Sequence, residues 1–226
     1  MTQWCHNIEY IIGNKSEIVP LYSLLQEWTN KIYEPNKFGK RWIGNLVGFS
    51  KINEDGQDEN KRLQYNNYRR GLIVNYFKLT EKGENAIISF TSDTAWVPFP
   101  EVYVAILRKY APHCHYFYYT EEIGTHYIYC NDVEHKIFKH DHVVEVNYDN
   151  TSDELIPEKY KQYFPDSGIF RSYTDEYLID AMQHICNSTI TNFNILKNVF
   201  FQRQKKELVM GSFIRMYKVK YVHQIL

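Results

Sequence analysis

The stretch that decides the fold runs from residue 115 to residue 147 and reads HYFYYTEEIGTHYIYCNDVEHKIFKHDHVVEVN. Short aromatic and β-branched runs alternate in it with turn residues, a pattern typical of an antiparallel sheet. We predict strands at 115–120, 125–130, 134–139 and 142–147. Together they form a β-meander.

Further elements precede this meander. Residues 4–12 predict a first strand, and 71–79 with 86–92 predict a hairpin. A helix is expected between them because Ile18, Leu21, Leu25 and Trp28 form one apolar stripe. A second helix follows the prolines at 98 and 100. With right-handed crossovers, the order strand, helix, strand, strand, helix, strand gives the split βαβ path called ferredoxin-like.

The last third of the chain has a different pattern. Residues 173–188 and 193–210 predict helices, and a closing strand follows at 217–221. We therefore expect an α+β domain over 1–150 and a mostly helical C-terminal extension over 151–226, either separate or packed on the sheet. The polar run 53–60 is interpreted as an exposed loop.

Composition limits the classes of function. The 226 residues carry 26 basic and 27 acidic side chains, so no global field attracts nucleic acid or a membrane surface. Apolar runs are too short to span a bilayer, and the first residues lack the pattern of a signal peptide. The four cysteines are scattered, which is typical of reduced thiols in the cytosol. We expect a cytoplasmic protein.

Three short motifs occur in a particular order along the chain. They are Trp4-Cys5-x-Asn7 at the start, Thr94-Ala95-Trp96 followed by Pro98 and Pro100, and Tyr119-x-Glu121-Glu122-x-Gly124. Over roughly residues 1–148 the chain resembles the YubB ferredoxin-like family. Where that family has a Gly-Thr-Lys-Trp-like segment, this chain has Arg69-Arg70-Gly71-Leu72. The resemblance implies a protein of a phage, plasmid or integrated element, and it implies no catalytic residues.

Motif searches give no support for catalysis. The sequence has no G-x-S-x-G, P-loop, H-E-x-x-H or G-x-G-x-x-G. The adjacent pair Glu121-Glu122 is unsuited to shared acid–base work because neighbouring strand residues diverge. We expect no cofactor, and whether the chain is an enzyme stays open, with a binding role favoured.

The aromatic strands raise the alternative of single-stranded nucleic-acid binding. Bases stack on aromatic rings presented by a sheet face, and arginines contact phosphates. The candidate residues are Tyr116, Tyr118, Tyr127 and Tyr129 for stacking and Arg69 and Arg70 for phosphate contacts. The competing interpretation buries the same rings beneath the tail or a partner chain.

Trp96 is the most informative single candidate. A tryptophan between a strand end and a proline-rich helix start is typical of a core anchor. The functional alternative places it on the floor of a pocket with Glu121 and Tyr127.

Histidines crowd the meander, and imidazole and thiolate are zinc ligands. The group comprises His113, His115, His126, His135, His140 and His142, with Cys114 and Cys130 among them. If Thr120 faces Thr125 in the hairpin, His115 lies near Cys130. The close ligand spacings of zinc sites are missing, so we interpret these residues as ordinary sheet-surface histidines and expect no metal.

These observations favour a non-enzymatic binding protein that acts on a host protein or other macromolecule through its sheet face or its tail. Aromatic residues, of which there are 20 Tyr and 13 Phe, are enriched on binding surfaces.

Overall fold

The computed structural model describes residues 4–33, 39–52, 70–122, 127–139, 141–148, 157–164, 170–208 and 212–222. The chain forms two compact units. An N-terminal unit comprises Met1–Val133 together with Tyr221–Leu226, and a second unit comprises Glu134–Lys220.

Most of the N-terminal unit consists of long strands and three helices. Its elements are β1 (Trp4–Asn14), α1 (Lys15–Asn30), α2 (Ile43–Ser50), β2 (Gly71–Lys82), β3 (Asn85–Ala95), α3 (Pro100–Tyr110), β4 (His115–Glu122) and β5 (Tyr127–Cys130). The second unit contains β6 (His142–Asn147), α4 (Glu158–Tyr163), β7 (Phe170–Tyr173), α5 (Asp175–Cys186), α6 (Phe193–Glu207) and β8 (Phe213–Lys218). A short β9 (Lys220–Tyr221) ends the described chain.

The main sheet has six strands in the order β2-β3-β1-β4-β5-β9. Its central strand β1 pairs antiparallel with β3 on one side and β4 on the other. Alternate residues of β1 are buried, beginning with Cys5 and Asn7, as the two-residue period of a strand requires. The prediction of an α+β chain with a mainly antiparallel sheet is confirmed.

The helices of the N-terminal unit pack on the buried side of this sheet. The predicted stripe of α1, from Ile18 to Trp28, enters the same apolar core as Ile11 of β1 and Ile88 of β3. The helix begins at Lys15 because Asn14 caps it, its side chain accepting a hydrogen bond from Ser16 N–H at 2.9 Å.

The second unit has its own sheet and core. Its three strands lie in the order β7-β6-β8, so β6 is central and β8 is an edge strand. Val144 and Val146 of β6 pack against buried side chains of α5 and α6, such as Met182 and Phe200. The two helices predicted in the tail correspond to α5 and α6.

Two predictions about the meander are wrong. Residues 134–139 contain no strand, and β6 pairs with β7 and β8 rather than with the first sheet. The reason lies at Asn131, whose side chain accepts from Tyr118 N–H at 2.7 Å and donates to the Tyr116 carbonyl at 2.9 Å. The amide thereby ends β5. The division at residue 133 also differs from the predicted boundary at 150.

Further expectations from the sequence can be compared with the structure one by one. The sequence missed α2, α4 and β7 because each lies among weak or irregular patterns. The predicted loop at 53–60 lies outside the described residues. All four cysteines are free and buried. Within the described ranges, no helix combines the length and apolarity needed to cross a bilayer.

Candidate functional site

Trp96 sits in an unusual turn at the end of β3. The Val97 N–H donates to the Ala95 carbonyl at 2.9 Å, which closes a three-residue γ-turn with Trp96 at its centre. The φ angle of Trp96 is +68°, a left-handed conformation that is strained for a bulky side chain. This turn leaves the side chain 56% exposed, so the core-anchor interpretation is wrong.

Arg70 covers the exposed indole ring. Its guanidinium carbon lies 4.6 Å from the centroid of the Trp96 ring, within the range of a cation–π contact. The Ala95 N–H donates to the Arg70 carbonyl at 2.8 Å, which fixes the position of the arginine beside the γ-turn. Strand pairing therefore brings together two candidates that are 26 positions apart in the sequence.

A second exposed tryptophan begins the neighbouring strand. Trp4 is 46% exposed and lies directly opposite Ala95 in the β1–β3 ladder. Val97 is also exposed. We refer to Trp4, Arg70, Trp96 and Val97 as the tryptophan–arginine surface. Trp4 was not predicted as a site residue. Strand alternation gives the signal, since Trp4 falls on the face opposite the buried Cys5.

A row of polar side chains crosses the sheet next to this surface. His6 lies opposite Asp93 on β3 and opposite Glu121 on β4. The His6 Nδ1 is 2.8 Å from Asp93 Oδ1, and the Tyr119 hydroxyl donates to Glu121 Oε2 at 3.0 Å. Burial raises the pKa of Glu121, and the nearby His6 opposes that shift. Two carboxylates thus lie beside the aromatic rings and the arginine of the tryptophan–arginine surface.

The opposite face of the same strands carries a buried polar network. Asn7 is its hub, because its amide donates to the Ser92 and Thr94 hydroxyls at 3.1 and 3.0 Å. Thr120 donates in turn to Asn7 Oδ1 at 2.5 Å. Burial, followed by the adjacent Glu122 carboxylate, raises the pKa of the Cys5 thiol to about 11. This thiol is protonated at neutral pH and is a poor nucleophile.

Glu9 lies deeper in the same face and is fully enclosed. The Tyr116 hydroxyl donates to Glu9 Oε1 at 2.6 Å, whereas Glu9 Oε2 and the Tyr103 hydroxyl have no hydrogen-bond partner among the described residues. Burial raises the pKa of Glu9 to about 7. A carboxyl so enclosed cannot reach a substrate, and its protonation belongs to the stability of the core.

The predicted aromatic face for base stacking is wrong in its main members. Tyr116 and Tyr118 are buried in the apolar core, where Tyr116 stacks on Tyr103 with ring centroids 5.1 Å apart. Tyr129 is half-buried opposite Thr120. Arg69 and the side chain of Tyr127 lie outside the described parts of the structure, although the Tyr127 backbone pairs with Glu122. The rings of Tyr116 and Tyr118 therefore belong to the core.

The histidines of the predicted meander do not lie close together in the structure. Cys130 lies opposite Tyr119, and His115 lies opposite Ile12, so the proposed proximity of His115 and Cys130 is wrong. The His113 ring approaches Glu17 with Nδ1 2.7 Å from Oε1. His142 belongs to the second unit, and His126 and His140 lie outside the described residues. In the described ranges no three potential metal ligands cluster.

Trp96, Glu121 and Arg70 thus lie at one end of the main sheet. No known protein family, curated protein or solved structure matches this chain.

Proposed function

We propose that this chain is a non-catalytic binding protein whose tryptophan–arginine surface recognises a protein partner. The observation that carries the proposal is the strained, exposed Trp96. Folding ordinarily removes a ring of this size from water, and a γ-turn with positive φ costs free energy without helping to bury it. Burial of the ring against a partner would offset the free-energy cost of the strained turn and of the exposed ring.

The chemistry of the surface supports a protein partner. Tryptophan and arginine are the residue types that most often dominate the energy of protein interfaces. Among the described residues, Arg70 makes the stacking contact with Trp96 and donates no side-chain hydrogen bond. The guanidinium N–H groups can donate to the carbonyl or carboxylate oxygens of a partner.

Single-stranded nucleic acid is the alternative ligand, because a base can stack on Trp96 beside Arg70. Two observations make it the weaker candidate. Tyr116 and Tyr118 lie in the core, and the carboxylates of Asp93 on β3 and Glu121 on β4 lie beside the surface, where they repel phosphates.

We also propose that the N-terminal unit follows the ferredoxin-like path and belongs with the YubB family of mobile-element proteins. The strand order β2-β3-β1-β4, with α1 after β1 and α3 after β3, supports the path. The family assignment gains support from Trp4, Trp96 and Glu121, one from each motif, which lie at the same sheet end. The partner on this proposal is a host macromolecule.

The experiment is a comparative capture from lysate of the native host cell. The immobilised full-length chain is compared with Trp96→Ala and Arg70→Ala, and bound proteins are identified by mass spectrometry. The matched control is Tyr76→Ala, because Arg41 lies 4.2 Å over the exposed Tyr76 ring in a second cation–π pair. We expect one protein to bind the wild type and the control and to be lost from both site variants.

Labelled single-stranded oligonucleotides are tested in parallel at low and high salt. A salt-dependent shift that disappears in Arg70→Ala would replace the protein partner with nucleic acid. Capture of the same proteins by all four chains, without any shift, would reject the surface as a binding site.

A further inference from the structure

A groove in the second unit runs between α6 and the edge strand β8. Its cavity volume is about 540 Å³. The lining includes Phe200, Phe201 and Leu208 from the helix side and consecutive residues from Phe213 to Tyr217 from the strand. Successive side chains of a strand point to opposite faces. Lining by consecutive residues of β8 fits a groove that runs along the edge of this strand.

The backbone of β8 is oriented for pairing along this groove. Val144 and Val146 of β6 lie opposite Met216 and Ile214 on its inner side. The Ile214 N–H points away from β6, since it donates to Gln204 Oε1 of α6 at 2.9 Å. Because N–H directions alternate along a strand, the Met216 N–H points into the groove as well. No strand among the described residues pairs with this outer edge.

Charge gives the groove a preference for acidic ligands. The described lining contains the cations Lys197, Lys205 and Arg215 and no carboxylate. Arg215 is partly engaged, with its NH1 3.7 Å from Glu145 Oε2. Lys205 lies 4.3 Å over the ring of Phe201, which is 49% exposed, so apolar and cationic groups alternate on the helix side.

We propose that this groove binds an extended, acidic peptide segment that adds to β8 as a further strand. The backbone of the peptide pairs with the outer edge of β8 at Met216 and replaces Gln204 as the acceptor of the Ile214 N–H. One set of its side chains enters the apolar floor, and its carboxylates face Lys197 and Lys205. The outer edge of β8, which no described strand covers, the groove dimensions and the excess of positive charge in the lining each fit such a ligand. This site is independent of the tryptophan–arginine surface.

The test uses the full-length chain and a phage-displayed library of random eight-residue peptides. We expect enrichment of peptides that combine Asp or Glu with β-branched residues. Binding of a synthesised hit, followed by fluorescence anisotropy, should weaken roughly tenfold in the double variant Lys197→Glu/Lys205→Glu, since two exposed ion pairs become repulsive. The Arg70→Ala/Trp96→Ala variant should bind like wild type.

Backbone methylation of the peptide separates strand addition from simple side-chain binding. Two peptides are compared, one N-methylated at the odd positions and one at the even positions. Only one of them should lose binding, because only every second N–H faces β8. Equal binding of both methylated peptides, or full affinity after charge reversal, overturns the proposal. A library that yields no enriched peptides also overturns the proposal. Binding of dodecanoate, an anionic fatty acid, in place of a peptide would then assign the groove to lipid.

Discussion

At the scale of single residues, Trp96 shows how local backbone geometry determines exposure. Its γ-turn places the ring outside the core and beneath Arg70. The sequence identified both residues as candidates, but it could not reveal the sign of a φ angle, and that sign decides whether the tryptophan anchors the core or faces a partner.

The strain at Trp96 can be measured by comparing two variants. Trp96→Ala and Trp96→Gly both remove the ring, but only glycine adopts positive φ without steric cost. We expect Trp96→Gly to be more stable than Trp96→Ala by about 1 kcal/mol in urea denaturation. If the alanine variant is equally stable or more stable, the turn at this position is not strained.

Glu9 makes a second prediction at the residue scale, in the pH dependence of stability. Its pKa in the folded state is about 7, above the value of an exposed glutamate in the unfolded chain. Protonated Glu9 therefore favours folding, and this contribution is lost as the pH rises through about 7. From about pH 5 to about pH 8, wild type should lose about 3 kcal/mol of unfolding free energy relative to Glu9→Gln.

Urea titrations at fixed pH values measure this difference, and Glu9→Gln retains the shape of the side chain while removing its titration. Parallel stability curves for the two proteins would show that Glu9 is ionised normally within the core.

At the scale of elements, periodicity identified the long helices and strands of the N-terminal unit. The stripe of α1 and the alternation of β1 each repeat often enough to be read without tertiary information. The segment 134–139 was predicted as a strand because its apolar residues follow a strand-like pattern. In the structure the pairing with β4 ends before it, at the Asn131 side chain. Such long-range competition for backbone groups leaves no periodic signal.

The packing of α2 on β2 can be tested at Gly71. A Cβ atom there would lie 2.7 Å from Ile43 Cδ1 and 2.9 Å from Phe99 Cε2. We expect Gly71→Ala to cost about 1 to 3 kcal/mol of stability because it overpacks this contact. Adding Ile43→Val, which removes Cδ1, should recover part of that loss in a double-mutant cycle.

Strictly additive effects of the two substitutions would place Ile43 away from Gly71. Thermal or urea unfolding of the four proteins provides the comparison.

At the scale of the whole molecule, the assignment of β6 to the second unit determines which fragment folds. β6 is the central strand of the smaller sheet and supplies Val144 and Val146 to its core. A fragment of residues 134–220 should therefore fold by itself and give dispersed amide signals in NMR spectra. A fragment of residues 151–220, which begins at the boundary predicted from sequence, lacks β6 and should remain unfolded.

An unfolded 134–220 fragment, or equally good folding of both fragments, would contradict the assignment. The sequence places the boundary after β6 because β6 resembles the strands before it, and periodicity does not show which strands β6 pairs with.

The central claim is that the tryptophan–arginine surface binds a protein, and site-specific photo-crosslinking tests it most directly. A benzophenone amino acid replaces Val97 beside Trp96 in one full-length protein and the exposed Tyr76 in another. We predict a single protein adduct from position 97 in host cells, lost on Arg70→Ala, and no such adduct from position 76. The same adducts at both positions, or none at position 97, would contradict the account.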